Sequence, residues 1–286
     1  MKRPVEYEHE EKSMATLVEL TSAFEGIASM RISQLKNQVL ESQKFFDELW
    51  DIYTQLRVDS LFSFGRESAV DIIDKELYII ITAEGGFSGD IDQKLIQLML
   101  QTFDPEKNEI IVIGHHGAVQ LAQRGIAYKK YFKLPNKDIN INVSPIIKQV
   151  QQYKGTKLFY QEYVSLMVQD VKRIELSSAI KERGQENDKP DEIISEDTYI
   201  FEPSTYAVAA HLERSMMQIA VSQLILNSKL AQYASRFRAM TASHTRADES
   251  RQEAHLGYNR SKRAIKDARL KEVINGMRKS AAGQAK

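Results

Sequence analysis

The sequence predicts an α/β fold in which a parallel sheet is combined with a long antiparallel coiled coil. Three observations support this class. Apolar residues recur at helical spacing near the start, short continuous apolar runs occupy the middle, and no proline follows Pro203. We therefore expect three parts: an N-terminal shaft helix at 13–57, an α/β domain at 75–202 and a C-terminal shaft helix at 204–276.

The first shaft helix is predicted from apolar residues at steps of three and four. One set comprises Leu17, Leu20, Phe24 and Ala28, and a second set comprises Leu35, Val39, Phe46, Leu49, Tyr53 and Leu56. Ile32 lies between the sets and predicts one shift of phase, as a stutter produces in a coiled coil. A helix of this length would extend about 65 Å.

The middle of the chain predicts a Rossmann-like domain. The runs at 77–82 and 110–114 are typical of strands that are buried on both faces, and residues 91–103 between them have helical spacing. Strand, helix and strand in this order predict a parallel sheet with right-handed crossovers. A third apolar run, at 158–167, is expected to add strands.

The last part predicts a helix of about 70 residues, or about 105 Å, beginning after a possible cap at Ser204. Because a domain of this size cannot enclose such a helix, it is expected to protrude and to pair with the first shaft helix. From 241 to 253 the only apolar side chains are Ala242 and Ala247, so we expect a partner to surround this polar stretch.

Composition excludes several classes of protein. The chain has no cysteine, which excludes disulfides and thiolate chemistry, and no apolar run is long enough to span a membrane. The acidic start of the chain is unlike a signal or transit peptide, so cytosolic exposure is expected. From 229 to 286 there are 14 Lys and Arg against 5 Asp and Glu, which predicts either an acidic partner or a solvated basic helix.

Two motifs allow other interpretations, one as a nucleotide-binding loop and one as a metal site. Glycines at 85, 86 and 89 follow a strand and precede a helix, as in dinucleotide-binding loops, but their spacing equally fits a tight turn. His115 and His116 are adjacent, and as neighbouring strand residues they would point to opposite faces and could not share a metal. We find no catalytic constellation, and acidic residues interrupt the basic tail too often for a nucleic-acid track.

Five segments, in chain order, resemble the gamma subunit family of F-type ATP synthases. Residues 20–32 resemble I-T-K-A-M-E-M-V-A-A-S-K-M, 82–92 resemble T-S-D-R-G-L-C-G-G-L-N, and 114–125 resemble the G-R-K-G and R-R-G segment. Residues 199–203 resemble Y-L-Y-E-P, while 238–240 and 258–262 resemble R-M-V-A-M and Y-N-R-A-R. In this order, and with a long helix at each end, the resemblance extends over nearly the whole chain.

The resemblance implies a non-catalytic rotor stalk that needs no cofactor or metal of its own. It implies four kinds of partner: the alpha and beta subunits of the catalytic ring, an epsilon subunit and the membrane c-ring. It also implies a peripheral place at the cytoplasmic face of the bacterial inner membrane. Implied contacts with the catalytic ring are Arg31, Met240, Asn259, Arg260, Lys262, Arg263, Asp267 and Arg269; Phe201 and Glu202 are implied to meet the c-ring.

The chain departs from the family where Y-N-R-A is usually followed by R-Q-A-A-I-T-Q-E. Arg263 replaces Gln, Asp267 replaces Thr and Arg269 replaces Glu. Arg260, Arg263 and Lys266 form a row of like charge beside which the sequence offers only Asp267, so acidic loops of the beta subunits are expected to face it. A non-rotary coiled-coil scaffold with an α/β head and a Rossmann enzyme remain the alternatives.

Overall fold

The computed structural model describes residues 2–55, 72–136, 138, 141–176, 202 and 204–284. The helices are α1 Pro4–Gln55, α2 Ile91–Leu100, α3 His115–Gln123, α4 Ser144–Val150 and α5 Thr205–Gln284. The strands are β1 Ile73–Ile81, β2 Asn108–Ile113, β3 Lys130–Phe132, β4 Tyr153–Tyr163 and β5 Gln169–Glu175. By compactness the chain divides into two units, one of residues 1–27 with 239–286 and the other of residues 28–238.

The second unit contains a five-stranded sheet in the order β3-β2-β1-β4-β5. Parallel pairing joins β1 to both β2 and β4, and β2 to β3, whereas β5 returns antiparallel along β4. This order confirms the predicted fold class. It also places a reversal of winding between β1 and β4, where doubly wound sheets open a crevice at their carboxyl ends.

Both faces of the sheet are covered by helices. For this reason the sequences of β1 and β2 contain continuous apolar runs. On one face, side chains such as Leu77 and Ile79 pack against α4 and against Phe46 of α1 and Met216 of α5. On the other face, Ile80 and its neighbours pack against α2 and α3. The two long helices therefore form one of the layers that enclose the sheet in this unit.

Before Ala28, helix α1 has a different inward face from the predicted one, whereas Leu35 and Phe46 of the second set are buried as predicted. Ala28, Ile32 and Leu35 are buried at steps of four and three, with Ile32 in phase. Leu17, Leu20 and Phe24, which we expected to face the partner helix, are 44%, 49% and 39% exposed. The predicted stutter at Ile32 is therefore wrong, since the buried positions repeat every seven residues. Leu56 lies outside the described residues.

Both long helices extend further than the sequence predicted. α1 begins at Pro4 rather than Ser13, and α5 ends at Gln284 rather than 276. The early start has a local cause, because proline is favoured at the first helical position and the Glu6 carboxylate accepts a hydrogen bond from Arg3 N at 3.2 Å. That pairing is a capping signal that the acidic composition of this segment concealed.

Gly117 is required by close packing at the end of β1. A β-carbon on Gly117 would lie 2.5 Å from Thr82 Oγ1 and 2.6 Å from Thr82 Cγ2. Thr82 is fully buried, and its hydroxyl donates to Ile113 O and accepts from Gly117 N. The start of α3 thus rests directly on the end of β1.

We expect Gly117→Ala to lower the free energy of unfolding by about 1–3 kcal/mol, because Thr82 cannot move without losing its hydrogen bonds. Urea unfolding followed by circular dichroism would measure this change. Gly155→Ala is the matched control, since a β-carbon there meets no atom within 4 Å. Equal stability of the two variants would contradict the packing argument.

Candidate functional site

In the first unit, α5 and α1 meet along a narrow seam of small residues. Met240, Ala247, Ala254 and Ser261 of α5 are buried at steps of seven in this unit. A strict seven-residue repeat is the pattern of a left-handed coiled coil. The stretch from 241 to 253 therefore has an inward face of its own, which its polar composition had concealed.

Hydrogen bonds across this seam fix an antiparallel arrangement. The bonds join Thr241 to Glu25 at 2.8 Å, His244 to Val18 O at 3.2 Å, His255 to Glu11 at 3.0 Å and Ser261 to Lys2 O at 3.0 Å. As the residue number rises along α5, it falls along α1. In this unit the two helices form the antiparallel coiled coil that the sequence predicted.

The start of α1 places acidic side chains near the basic end of α5. Glu8 illustrates the effect: hydrogen bonding to Lys12 lowers the pKa of its carboxyl, and Lys262 of α5 lowers it further. His255 meets Glu11 in the same unit. These contacts involve Lys262 and His255. Asp267 as the one acidic neighbour of the row Arg260, Arg263 and Lys266 stays a prediction.

Beyond Ser261 the side chains of α5 are exposed at every residue from 262 to 278. Leu270, Val273 and Ile274 are 59%, 48% and 41% exposed, and their spacing of three and four places them on one face of the helix. An exposed apolar stripe rimmed by charges is typical of a surface that binds another protein.

The structure separates the implied contact residues by their accessibility. Arg260, Lys262, Arg263, Asp267 and Arg269 are exposed, and Asn259 is half-buried. Met240 is 6% exposed, so its side chain belongs to the seam between the helices. Arg31 forms an ion pair with Asp138 at 3.6 Å. At the other end of α5, Glu202 is exposed, and Phe201 lies outside the described residues.

The glycine-rich loop after β1 is engaged by other parts of the chain. Arg236 Nη2 donates to Gly86 O at 3.1 Å, and Ser235 Oγ donates to Ser88 O at 2.7 Å. The Glu84 carboxylate accepts from His115 N at 3.2 Å, at the start of α3. The loop is thus held by side chains of α5 on one side and by the start of α3 on the other. This arrangement favours the tight-turn interpretation.

His115 and His116 begin α3. They were expected to be neighbouring residues of a strand, and that expectation is wrong. Gly114, at a φ of +98°, turns the chain directly into this helix. His115 lies edge-on to Tyr131, whereas His116 Nδ1 lies 2.6 Å from Asp92 Oδ2. Among the described residues no group of three or more His, Asp or Glu side chains could hold a metal ion.

The crevice between β1 and β4 contains a buried polar network. Asp92, at 1% exposure, accepts hydrogen bonds from Ala83 N at 3.2 Å and from Gln161 Nε2 at 2.5 Å. Gln161 Oε1 in turn accepts from Gln232 Nε2 of α5 at 2.7 Å. Helix α5 therefore contributes a side chain at the position where doubly wound sheets bind their ligands.

Sequence reasoning missed Asp92, Gln161 and Gln232. One signal was present: the family segment that resembles 82–92 ends in Asn, whereas this chain has Asp92, and the segment around 114–117 has Lys where this chain has His116. The paired change from Asn and Lys to Asp and His could have indicated contact between positions 92 and 116. Gln161 lies inside an apolar run and carried no comparable signal.

The His116–Asp92 contact predicts a pH-dependent stability. The hydrogen bond that the His116 ring donates to the Asp92 carboxylate raises the pKa of His116 above its ordinary value of 6.5. Because the folded pKa exceeds the unfolded one, the stabilisation is complete below pH 6.5 and is lost as the pH rises through the elevated folded pKa. His116→Gln should cost about 1–3 kcal/mol at pH 6 and less at pH 9.

Urea unfolding of the native chain and His116→Gln across this pH range would measure the difference. His115→Gln is the control, because the His115 ring lies 6.4 Å, centroid to centroid, from Tyr131. A difference between native and His116→Gln proteins that stays constant with pH would contradict the assignment.

No helix in the described part of the chain combines the length and apolar character needed to cross a membrane. The family model described as ATP synthase matches residues 6–279. The ATP synthase gamma chain of Mesoplasma florum is 22% identical over 268 residues, covering 90% of this chain and 91% of that protein. The gamma chain of Clostridium novyi is 22% identical over 283 residues, covering 93% and 94%.

Solved structures show the same fold. A chain of the mitochondrial ATP synthase of Euglena gracilis is similar with a TM-score of 0.64 and 16% identity, covering 97% of this chain and 95% of that chain. A chain from the central stalk and c-ring of the Tetrahymena thermophila enzyme has a TM-score of 0.57 and 18% identity, covering 78% and 98%.

Proposed function

Since this chain belongs to the ATP synthase family and is a gamma subunit, we propose that it couples ion movement through a membrane c-ring to ATP synthesis or hydrolysis in a ring of alpha and beta subunits. The observation that carries this proposal is the exposed end of α5 beyond the coiled-coil seam. Its apolar stripe and its basic rows are available to a surrounding partner. The chain itself would transmit torque and perform no chemistry.

The charges of the shaft suit rotation inside a ring. Arg263, Lys266 and Arg269 are exposed on the part of α5 that lies beyond Ser261. Long-range attraction to acidic loops holds a rotor near the axis without fixing one angle, because such attraction changes gradually with position. A single asymmetric shaft can then favour a different state in each catalytic site through different contacts.

The opposite end of α5 supplies the other half of the proposal. Glu202, just before α5, is exposed, and with Phe201 it would meet the c-ring. An epsilon subunit would bind beside the α/β domain, and the complex would lie peripherally at the cytoplasmic face of a bacterial inner membrane. The non-rotary scaffold is the second candidate, and it shares the coiled coil and the sheet but needs neither ring.

Purification from the native source separates these candidates. An affinity tag on this chain should recover alpha and beta subunits together with ATP hydrolysis activity, and the c-ring after mild detergent extraction. Substituting Leu270, Val273 and Ile274 with Gln should reduce the recovered alpha and beta subunits. Recovery of the chain without catalytic subunits would reject the rotary proposal and favour the scaffold.

A further inference from the structure

In the second unit, α5 changes character along its length. From Met216 to Ile225 its buried side chains are mainly apolar and pack on the sheet. From residue 228 to residue 236 polar side chains are buried beside Leu230, Ala231 and Ala234: Ser228, Lys229, Gln232 and Ser235 are buried, and Arg236 is partly buried. Buried polar side chains are costly unless each finds a partner, so this change requires an explanation.

Each of these side chains is bonded to an element outside α5. Gln232 and Ser228 bind β4, through Gln161 Oε1 at 2.7 Å and Gln161 N at 3.2 Å. The bond from Gln232 continues through Gln161 Nε2 to Asp92 of α2 at 2.5 Å. The first anchor therefore ties α5 to the crevice between β1 and β4.

The second anchor is a buried cation. The side chain of Lys229 is 5% exposed; its ammonium donates to Pro135 O at 2.8 Å and forms an ion pair with Asp138. Asp138 also pairs with Arg31 of α1. The segment after β3 is thereby connected to both long helices.

The third anchor holds the loop after β1. Ser235 Oγ donates to Ser88 O at 2.7 Å, and Arg236 Nη2 donates to Gly86 O at 3.1 Å and to Ser88 Oγ at 3.3 Å. All five anchoring residues of α5 lie within an arc of about 120° and within about 12 Å along its axis. Three separate elements of the α/β domain thus meet one short face of one helix.

We propose that residues 228–236 of α5 form a torsional lock, which prevents the shaft helix from turning or sliding against the α/β domain under load. Apolar packing alone is non-directional, and packed helices can shift by a whole turn. Directional hydrogen bonds to buried partners do not survive such a shift, because Gln161 Oε1, Asp138 and Ser88 O would then lose their donors. The inference rests on the proposed rotary function and specifies where torque passes between domain and shaft.

The test uses the complex assembled with catalytic subunits and c-ring. A bead on the c-ring would report angular fluctuations while the catalytic ring is held without ATP, and ATP-driven ion pumping would report coupling. Gln232→Met removes the bond of the first anchor to Gln161 Oε1, and Lys229→Met removes the second anchor. Each lost anchor should raise the population of slipped shafts by roughly threefold to tenfold, with larger angular variance and less pumping per ATP.

Gln223→Met is the matched control. Gln223 is equally buried in α5, yet its Oε1 has no hydrogen-bond partner in the part of the chain that the structure describes. Hydrolysis by the soluble complex without load should match in all variants. Ser235→Ala, which removes a single hydroxyl, keeps the test open if Lys229→Met does not fold.

The outcomes are distinct. Greater angular variance in the anchor variants than in Gln223→Met supports the lock. If the anchor variants have a lower melting temperature but the same angular variance as the control, the network serves folding alone. That result would overturn the proposed lock. Failure of the native chain to assemble with alpha and beta subunits would reject the proposed function, whereas assembly with unchanged variance would reject only the lock.

Discussion

Replacing Leu270, Val273 and Ile274 together with glutamine is expected to weaken binding of the chain to alpha and beta subunits by at least about tenfold. These side chains are exposed on one face of α5. Full burial of each in a partner would contribute about 1.5–3 kcal/mol, so even partial burial of three exceeds the roughly 1.4 kcal/mol that a tenfold change requires. Titration of the catalytic ring with the labelled chain would measure the affinity.

The opposite face of the same helical turns provides a matched control. Lys271, Glu272 and Asn275 are also exposed, and their replacement with glutamine changes three residues in the same segment. We expect helix content and melting temperature to match in both triple variants, because none of the six side chains is buried in the chain. Equal affinity of the two variants would show that the apolar stripe does not contact the ring.

Phe46→Ala is expected to lower the free energy of unfolding by about 3–5 kcal/mol, the largest effect on stability that we predict. Phe46 is 1% exposed and stacks on Trp50 at a centroid distance of 6.4 Å. It belongs to the core that joins α1, α5 and the sheet, so truncation leaves a cavity among three elements. Urea unfolding would measure the loss.

Phe45 provides the control on the adjacent position of α1. Phe45 is 55% exposed, so Phe45→Ala should change the stability by no more than about 0.5 kcal/mol. The two variants delete the same atoms from neighbouring residues. A similar loss in both would contradict the assignment of the effect to core packing, because alanine is the better helix former and propensity alone would favour both variants.

Several features followed from the sequence alone. The runs at 77–82 and 110–114 identified strands with two buried faces, and the helical pattern between them predicted their parallel pairing. The absence of proline after Pro203 allowed one continuous helix, and the second apolar set of α1 placed Phe46 correctly inside. These features depend on local periodicity, which a linear sequence contains in full.

Tertiary structure decided which stripe of α1 faces α5. Counting apolar residues favoured Leu17, Leu20 and Phe24, but the helix buries Val18, Thr21 and Glu25 more deeply. A seam lined by Ala247 and Ala254 is narrow, so whichever residues fall on its seven-residue repeat become buried, whatever their polarity. Periodicity detects apolar faces, and it cannot determine which of two faces a neighbour will cover.

The buried polar contacts also depended on the tertiary structure. Asp92, Gln161 and Gln232 are distant in the sequence, and the neighbours of Lys229, Ser228 and Leu230, predict nothing about its contact with Asp138. From the sequence alone, each of these polar side chains would be predicted to lie on the surface. A core tolerates such polar groups only when the fold brings their partners together from different elements. The sequence therefore determined the fold class, whereas the assembled fold decided how the α/β domain holds its shaft.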